Sequence, residues 1–206
     1  MALALSAAAS TVLAEDDNGK GLRPFATVGF TWGGQTIEPV TITPQGSSTH
    51  YQEDISAGAG LALQLGLSYH LDSTPFTLQT SYGYHNDQAT GINGHFSFRR
   101  RPVELLVQYS ATDRTRLGFG VRRSTRARFA GVGGTCDDAG TPCNIHAQLK
   151  GSTGLVFETE WMATSSWSLK ARWVHEYFHF EDSTDFDNNR KYKGDHFGLM
   201  TSYYFD

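Results

Sequence analysis

No stretch of this chain approaches the ~20 consecutive apolar residues that a membrane-crossing helix requires, and its mean hydropathy is -0.38. A helical membrane protein is excluded. Transmembrane strands escape that exclusion, because each needs only ~9–11 residues with every second one apolar, which averages to a polar-looking sequence. Basic residues are not in excess: 17 Lys and Arg stand against 21 Asp and Glu, for a net charge of -4, without a basic tail. Nucleic acid is therefore not an expected partner. Cysteine is scarce, with only Cys136 and Cys143, in the polar segment GVGGTCDDAGTPCN. Their spacing suits a small loop-closing disulfide in an oxidising compartment. A zinc site would need more ligands than His146 supplies, so neither metal nor cofactor is expected.

What the chain does have is aromatic residues and glycine: nine Tyr, thirteen Phe, four Trp and 22 Gly in 206 residues. Without Leu-rich or Glu/Lys-rich helical stretches, that balance is all-β. The length fits one domain, since no linker divides it. Residues 1–14, MALALSAAASTVLA, read as the apolar part of a secretory signal, with Val12 and Ala14 at the small-residue positions before a cut preceding Glu15. The mature domain would then be residues 15–206.

Eight segments alternate with period two, the signature of a sheet with two chemically different faces. The clearest is AGAGLALQLGLSYHL, where Ala57, Ala59, Leu61, Leu63, Leu65, Leu67, Tyr69 and Leu71 oppose Gly58, Gly60, Ala62, Gln64, Gly66, Ser68 and His70. The second face is small and polar. A membrane barrel turned inside out requires that, whereas a soluble barrel burying its interior as a core does not. The other segments are PFATVGFTW, PFTLQTSYGYH, RPVELLVQYS, RLGFGVR, QLKGSTGLVFETEW, WSLKARWVHEY and HFGLMTSYYF. In the sixth, Leu149 is expected outward, with Gln148 and Lys150 inward.

Tight turns (LDST, ATDRT, ATSS) alternate with long polar connections, as in outer-membrane barrels. Aromatics fall at strand ends in two sets, one near the short turns (Tyr69, Phe76, Tyr109, Trp161, Trp167, Tyr203) and one near the long loops (Trp32, Tyr84, Phe96, Phe98, Trp173, Tyr177). Two interfacial girdles are expected. Phe96 and Phe98 lie on the opposite parity from Val103 and Leu105, which a β-bulge at Arg101 to Pro102 would reconcile. The expectation is a closed antiparallel up-and-down transmembrane β-barrel of about eight strands. Its pattern resembles the small Gram-negative outer-membrane barrels of the OmpA transmembrane domain and OmpX/Ail type over nearly all of the mature chain. One specific motif carries the resemblance, the final strand with Leu199, Thr201, Tyr203 and Phe205, similar to the signal read by the barrel-assembly machinery. Asp206 departs from it, since such chains usually end on the aromatic. The resemblance implies an outer-membrane location and that machinery as a partner.

Glu104, Arg116, Arg122, Glu158, Glu160, Lys170, Arg172 and Glu176 are expected in the lumen, where charges persist only when paired. They read as a salt-bridge plug, with a conducting path as the alternative. Arg99, Arg100 and Arg101 on one strand, and Arg122, Arg123, Arg126 and Arg128 on the next, approach the outer interface. Arg100 and Arg123 are the candidates for binding lipopolysaccharide phosphates, against interfacial snorkelling or lumenal pairing. His175 and His179 share an outward face ahead of Glu181, Asp182 and Ser183, a set that an outer-leaflet lipid hydrolase would need, though at poor spacing. DFDNNRK, from Asp185 to Lys191, resembles half a calcium loop but has Arg190 where Gly belongs and His196 where a bidentate Glu belongs. The functional expectation is a non-enzymatic integral barrel with surface loops that contact lipopolysaccharide, envelope proteins or a host surface. Its alternatives are an enzyme modifying lipid A or phospholipid, and a soluble lipocalin-like periplasmic binder. Oligomeric state is not readable from these patterns.

Overall fold

The computed structural model describes residues 21–42, 51–91, 94–133, 143–181 and 189–206. The signal segment, the Cys136 side of the expected disulfide, the Cys143 side chain, and Asp182 and Ser183 lie outside the described residues.

Among them are thirteen strands. They are β1 (Gly21–Gly33), β2 (Thr36–Ile42), β3 (Tyr51–Ser56), β4 (Gly60–His70), β5 (Phe76–Gly91), β6 (Gly94–Ser110) and β7 (Thr115–Gly133). The rest are β8 (Cys143–Gly151), β9 (Thr153–Met162), β10 (Trp167–His175), β11 (Tyr177–Glu181), β12 (Tyr192–Lys193) and β13 (His196–Tyr204). Antiparallel pairing runs β1-β4-β5-β6-β7, from β7 to β8 and β9, from those to β11 and β10, then through β13 back to β1. β8 with β9, β10 with β11, and β12 with β13 each form one broken stave, so the barrel has eight staves and is closed. Closure leaves every strand in the belt with two partners, as lipid demands where water cannot satisfy backbone groups.

The lower half of the barrel is inside out. Phe30, Leu65, Leu105, Val107, Phe119, Phe157, Leu169, Phe197 and Leu199 stand exposed on its outer surface, while Thr27, Gln64, Gln79, Glu104, Gln108, Glu158 and Lys170 are buried inside. So large an apolar exterior is stable only against lipid. Aromatics rim its lower edge: Trp167 packs edge-on against Tyr203 at 5.0 Å, and Tyr203 against Phe205 at the same distance. The tight turns close it below, as in Ala163 donating to Trp167 at 2.9 Å and Leu71 donating to Phe76 at 3.0 Å.

Above the belt the faces exchange chemistry. β5, β6, β7 and β8 continue into segments expected as long loops, and there the inward positions become apolar. Ala89, Phe96, Phe98, Ala127, Phe129, Ala147, Leu149, Phe178, Phe180 and Tyr192 form one buried cluster. The β2–β3 hairpin, inside the first expected loop, adds Ile37 and Ile55 to it. Water outside this portion drives apolar side chains inward, the ordinary direction of burial.

That inversion corrects four expectations. Phe96 and Phe98 do not join an upper girdle but are buried inside. Leu149 points inward, with Gln148 and Lys150 exposed outside. Ala57, expected on the lipid face, is fully buried just before β4. The bulge lies on β7 rather than at Arg101 to Pro102: Arg99 pairs with Arg128 but Arg101 with Thr125, so β7 carries one residue more than β6. Phe96 is inward because β6 keeps the parity of Glu104, and Gly131 leaves room for its ring. Gly131 pairs with Phe96 across the ladder, and a Cβ on it would lie 2.3 Å from the Phe96 ring.

Candidate functional site

Alternation along β6, β7, β9 and β10 brings the expected lumenal charges together. Glu104 accepts from Arg122 Nη1 at 2.8 Å and from Arg172 Nη2 at 2.6 Å. Arg122 Nε lies 3.3 Å from Glu176 Oε1, and Ser124 donates to the same carboxylate at 2.8 Å. Lower down, Lys170 Nζ sits 3.1 Å from Glu158 and 3.7 Å from Glu160. Gln108 Nε2 donates to Glu158 and Glu160 at 3.2 and 3.1 Å, while Ser168 and Tyr204 hydroxyls donate to Glu160 at 2.6 and 2.5 Å. Arg116 reaches Glu160 at 3.7 Å from the lower mouth, where its side chain is partly exposed. Each of the eight residues thus has an opposite charge beside it. Removing charges from water is tolerable only on those terms.

Arg100 departs from expectation. It points inward, 1% exposed, at the junction between the ionic and apolar halves. Its guanidinium bonds to the His85 ring at 2.9 to 3.1 Å and to the Ala57 carbonyl, and lies 5.1 Å above Phe98. Arg100 shares the parity of Glu104, Leu106 and Gln108 because β6 has no bulge, so it cannot face lipid phosphate.

Arg123 does face outward, and it has company. Arg99, Arg101, Arg126 and Arg128 are also exposed on the outer faces of β6 and β7, with Lys150 on neighbouring β8. Register sets their height: Leu105 pairs with Val121, then Val103 with Arg123, Arg101 with Thr125 and Arg99 with Arg128. The row therefore begins where the apolar belt stops. The outward faces of β6 and β7 carry no acidic residue, and none of the five arginines forms an ion pair among the described residues. Nearby, Lys150 lies 3.7 Å from Glu181, both half exposed. Alternation along an unbulged β6 places Arg99 and Arg101 outward, whereas the outward position of Arg128 follows from the break in alternation at Thr125 and Arg126.

On the opposite side, His175 Nδ1 lies 2.9 Å from Asp195 Oδ1, with side chains 35% and 33% exposed. Trp173 stacks on the His175 ring and Tyr177 meets it edge-on. His179 is on the same outer face but not in this pair, and among the described residues no Ser or Thr hydroxyl hydrogen-bonds to His175. Asp195 was not anticipated, because it lies 20 positions along the chain and meets His175 only across the β10–β13 ladder. No cluster of metal ligands occurs among the described residues. The final-strand residues Leu199, Tyr203 and Phe205 line the outer face, and the Phe205 amide donates to Pro24 at 2.9 Å.

Closed antiparallel pairing, an apolar exterior and a polar interior define the class: a transmembrane up-and-down β-barrel of eight staves. No protein-family profile and no curated protein matches the chain. Among solved structures it is similar to Ail, the attachment invasion locus protein of Yersinia pestis, at 11% identity and a TM-score of 0.48, over 90% of this chain and 99% of that one. It is similar also to Neisserial surface protein A, at 10% identity and 0.48 over 90% and 98%. OprG from Pseudomonas aeruginosa gives 14% identity and 0.46 over 92% and 99%. These likenesses concern barrel architecture alone.

Proposed function

We propose that the protein is a non-enzymatic integral barrel of the bacterial outer membrane whose outer surface binds lipopolysaccharide through its phosphates. The observation that carries this reading is the row Arg99, Arg101, Arg123 and Arg128, exposed in register immediately above the apolar belt without an acid on either outward face. Guanidinium forks match phosphate oxygens bidentately, and a half-desolvated interface strengthens such bonds. Insertion by the barrel-assembly machinery through Leu199, Tyr203 and Phe205, after removal of residues 1–14, completes the reading.

The test is lipid co-purified with the full chain, quantified by mass spectrometry. Arg99, Arg123 and Arg128 all changed to Ser should reduce retained lipopolysaccharide about tenfold or more, since hydrogen bonds to charged groups contribute ~1.5–3 kcal/mol each. Equal retention would contradict the proposal.

A second reading draws on the His175–Asp195 pair, half exposed at the level where lipid headgroups lie. A carboxylate-oriented imidazole is the general-base half of a hydrolase. That reading predicts a lipid A mass change on expression that His175→Ala abolishes. A soluble lipocalin-type binder needs an apolar interior and a polar exterior, the reverse of this belt.

A further inference from the structure

The basic row contains a backbone feature that its charge alone does not require. Between the pairs Arg101–Thr125 and Arg99–Arg128, β7 spends three steps where β6 spends two. The extra residue is Arg126, whose φ is 51°. In that left-handed region Cβ crowds the following carbonyl, which is why glycine normally fills the position. The chain has 22 glycines, yet an arginine stands here. Bulges of this kind re-aim side chains, and a strained residue kept in place points to a use for its side chain.

The consequence is visible on both faces. Ser124 is buried, Thr125 and Arg126 are both exposed, and Ala127 is buried again. Two consecutive residues therefore face outward, and every later position on β7 changes side. Arg128 turns out to join the row and Phe129 turns in to join the apolar cluster. On β8, Leu149 pairs with Ala127, which sets the exposed Lys150 beside the bulge.

We propose that the bulge at Arg126 builds a phosphate clamp across β6, β7 and β8, with Arg126 as its specificity-determining residue. This rests on the lipid-binding reading above and names its central contact. Arg126 and Arg128 hold one phosphorylated lipid headgroup from β7 while Arg99 and Lys150 flank it from either side. The clamp offers no free carboxylate to a bridging divalent cation among the described residues: the outward faces of β6 and β7 carry none, and Glu181 beside it is paired with Lys150 at 3.7 Å. It meets phosphate directly and does not depend on metal.

The experiment uses the purified full chain in phosphatidylcholine nanodiscs. The probe is lipopolysaccharide carrying its lipid A phosphates, compared with the same lipid dephosphorylated, each with and without EDTA, and with inorganic phosphate as a competitor. The wild type is expected to prefer the phosphorylated lipid with and without EDTA, and millimolar inorganic phosphate should compete poorly. Arg126→Gly removes the guanidinium while suiting the backbone, so affinity should fall about tenfold with no drop in melting temperature. Should that variant not refold, Arg126→Gln provides the same comparison. If the wild type does not distinguish the two lipids, the lipid-phosphate reading itself fails. If it does, and Arg126→Gly binds as tightly as wild type or EDTA abolishes binding, the clamp is overturned while the broader reading stands.

Discussion

Two buried guanidiniums, of Arg122 and Arg172, converge on the two oxygens of Glu104 at 2.8 and 2.6 Å. Glu104→Gln keeps the shape and removes the charge. It should leave Arg122 with Glu176 and Arg172 with the more distant Glu158, and destabilise the barrel by about 3 kcal/mol, as expected for breaking a buried pair from one side. The midpoint of urea unfolding in lipid checks this. A second residue-scale prediction concerns Gly131. A methyl there would meet the Phe96 ring, so Gly131→Ala should cost about 1–3 kcal/mol by overpacking, and the same unfolding assay reads it. The lumenal charges were legible in sequence because strict alternation assigns a face to each residue once a strand is located. Arg100 was not, although it shares the parity of Glu104. The obstacle was the assumption that aromatic residues stay outside along the whole of β6, which called for a bulge in the wrong strand.

At the scale of elements, what determines a strand's outward face is the solvent outside it. β6 alternates without a break from Phe98 to Tyr109, yet outward positions change from Val103, Leu105 and Val107 to Arg99 and Arg101 as the strand leaves the belt. Sequence patterning shows the alternation but not where lipid ends, so strands above the belt read as loops. The β2–β3 hairpin was invisible for a related reason: its short strands acquire an apolar face only through Ile37 and Ile55 meeting side chains far along the chain. The same hairpin is tied to β5 by the Ser56 amide donating to Asp87 at 2.8 Å. Burial pushes the Asp87 carboxyl above its ordinary range, partly offset by that amide, and burial also raises Glu38. A carboxyl raised in the folded state contributes stability that is fully present below its unfolded pKa and lost as pH rises through the folded value. Hairpin docking should therefore tighten on acidification from neutral towards pH ~4. Hydrogen exchange at Ala57, whose amide donates to the Gln35 carbonyl at 3.0 Å, corrected for intrinsic rate, should slow over that interval. Protection that weakened instead would contradict the assignment.

For the molecule as a whole, the barrel is filled along its length, by ion pairs within the belt and by aromatic and aliphatic side chains above it. Eight staves leave an interior only wide enough for side chains. Steady conductance in planar bilayers should accordingly be absent, and reproducible unitary steps would show that the ionic plug opens. The central claim is the exchange of chemical faces at the top of the lipid belt, because barrel class, sealed interior and arginine row all depend on it. Its most direct test is NMR of the full chain in nanodiscs, combining acyl-chain contacts with broadening by a water-soluble paramagnetic agent. Leu105, Val107, Phe119 and Val121 should contact acyl chains, Arg99, Arg126 and Arg128 should be broadened from water, and Phe96 and Phe98 should show neither effect. Acyl-chain contact at Phe98, or broadening at Leu105, would contradict the account.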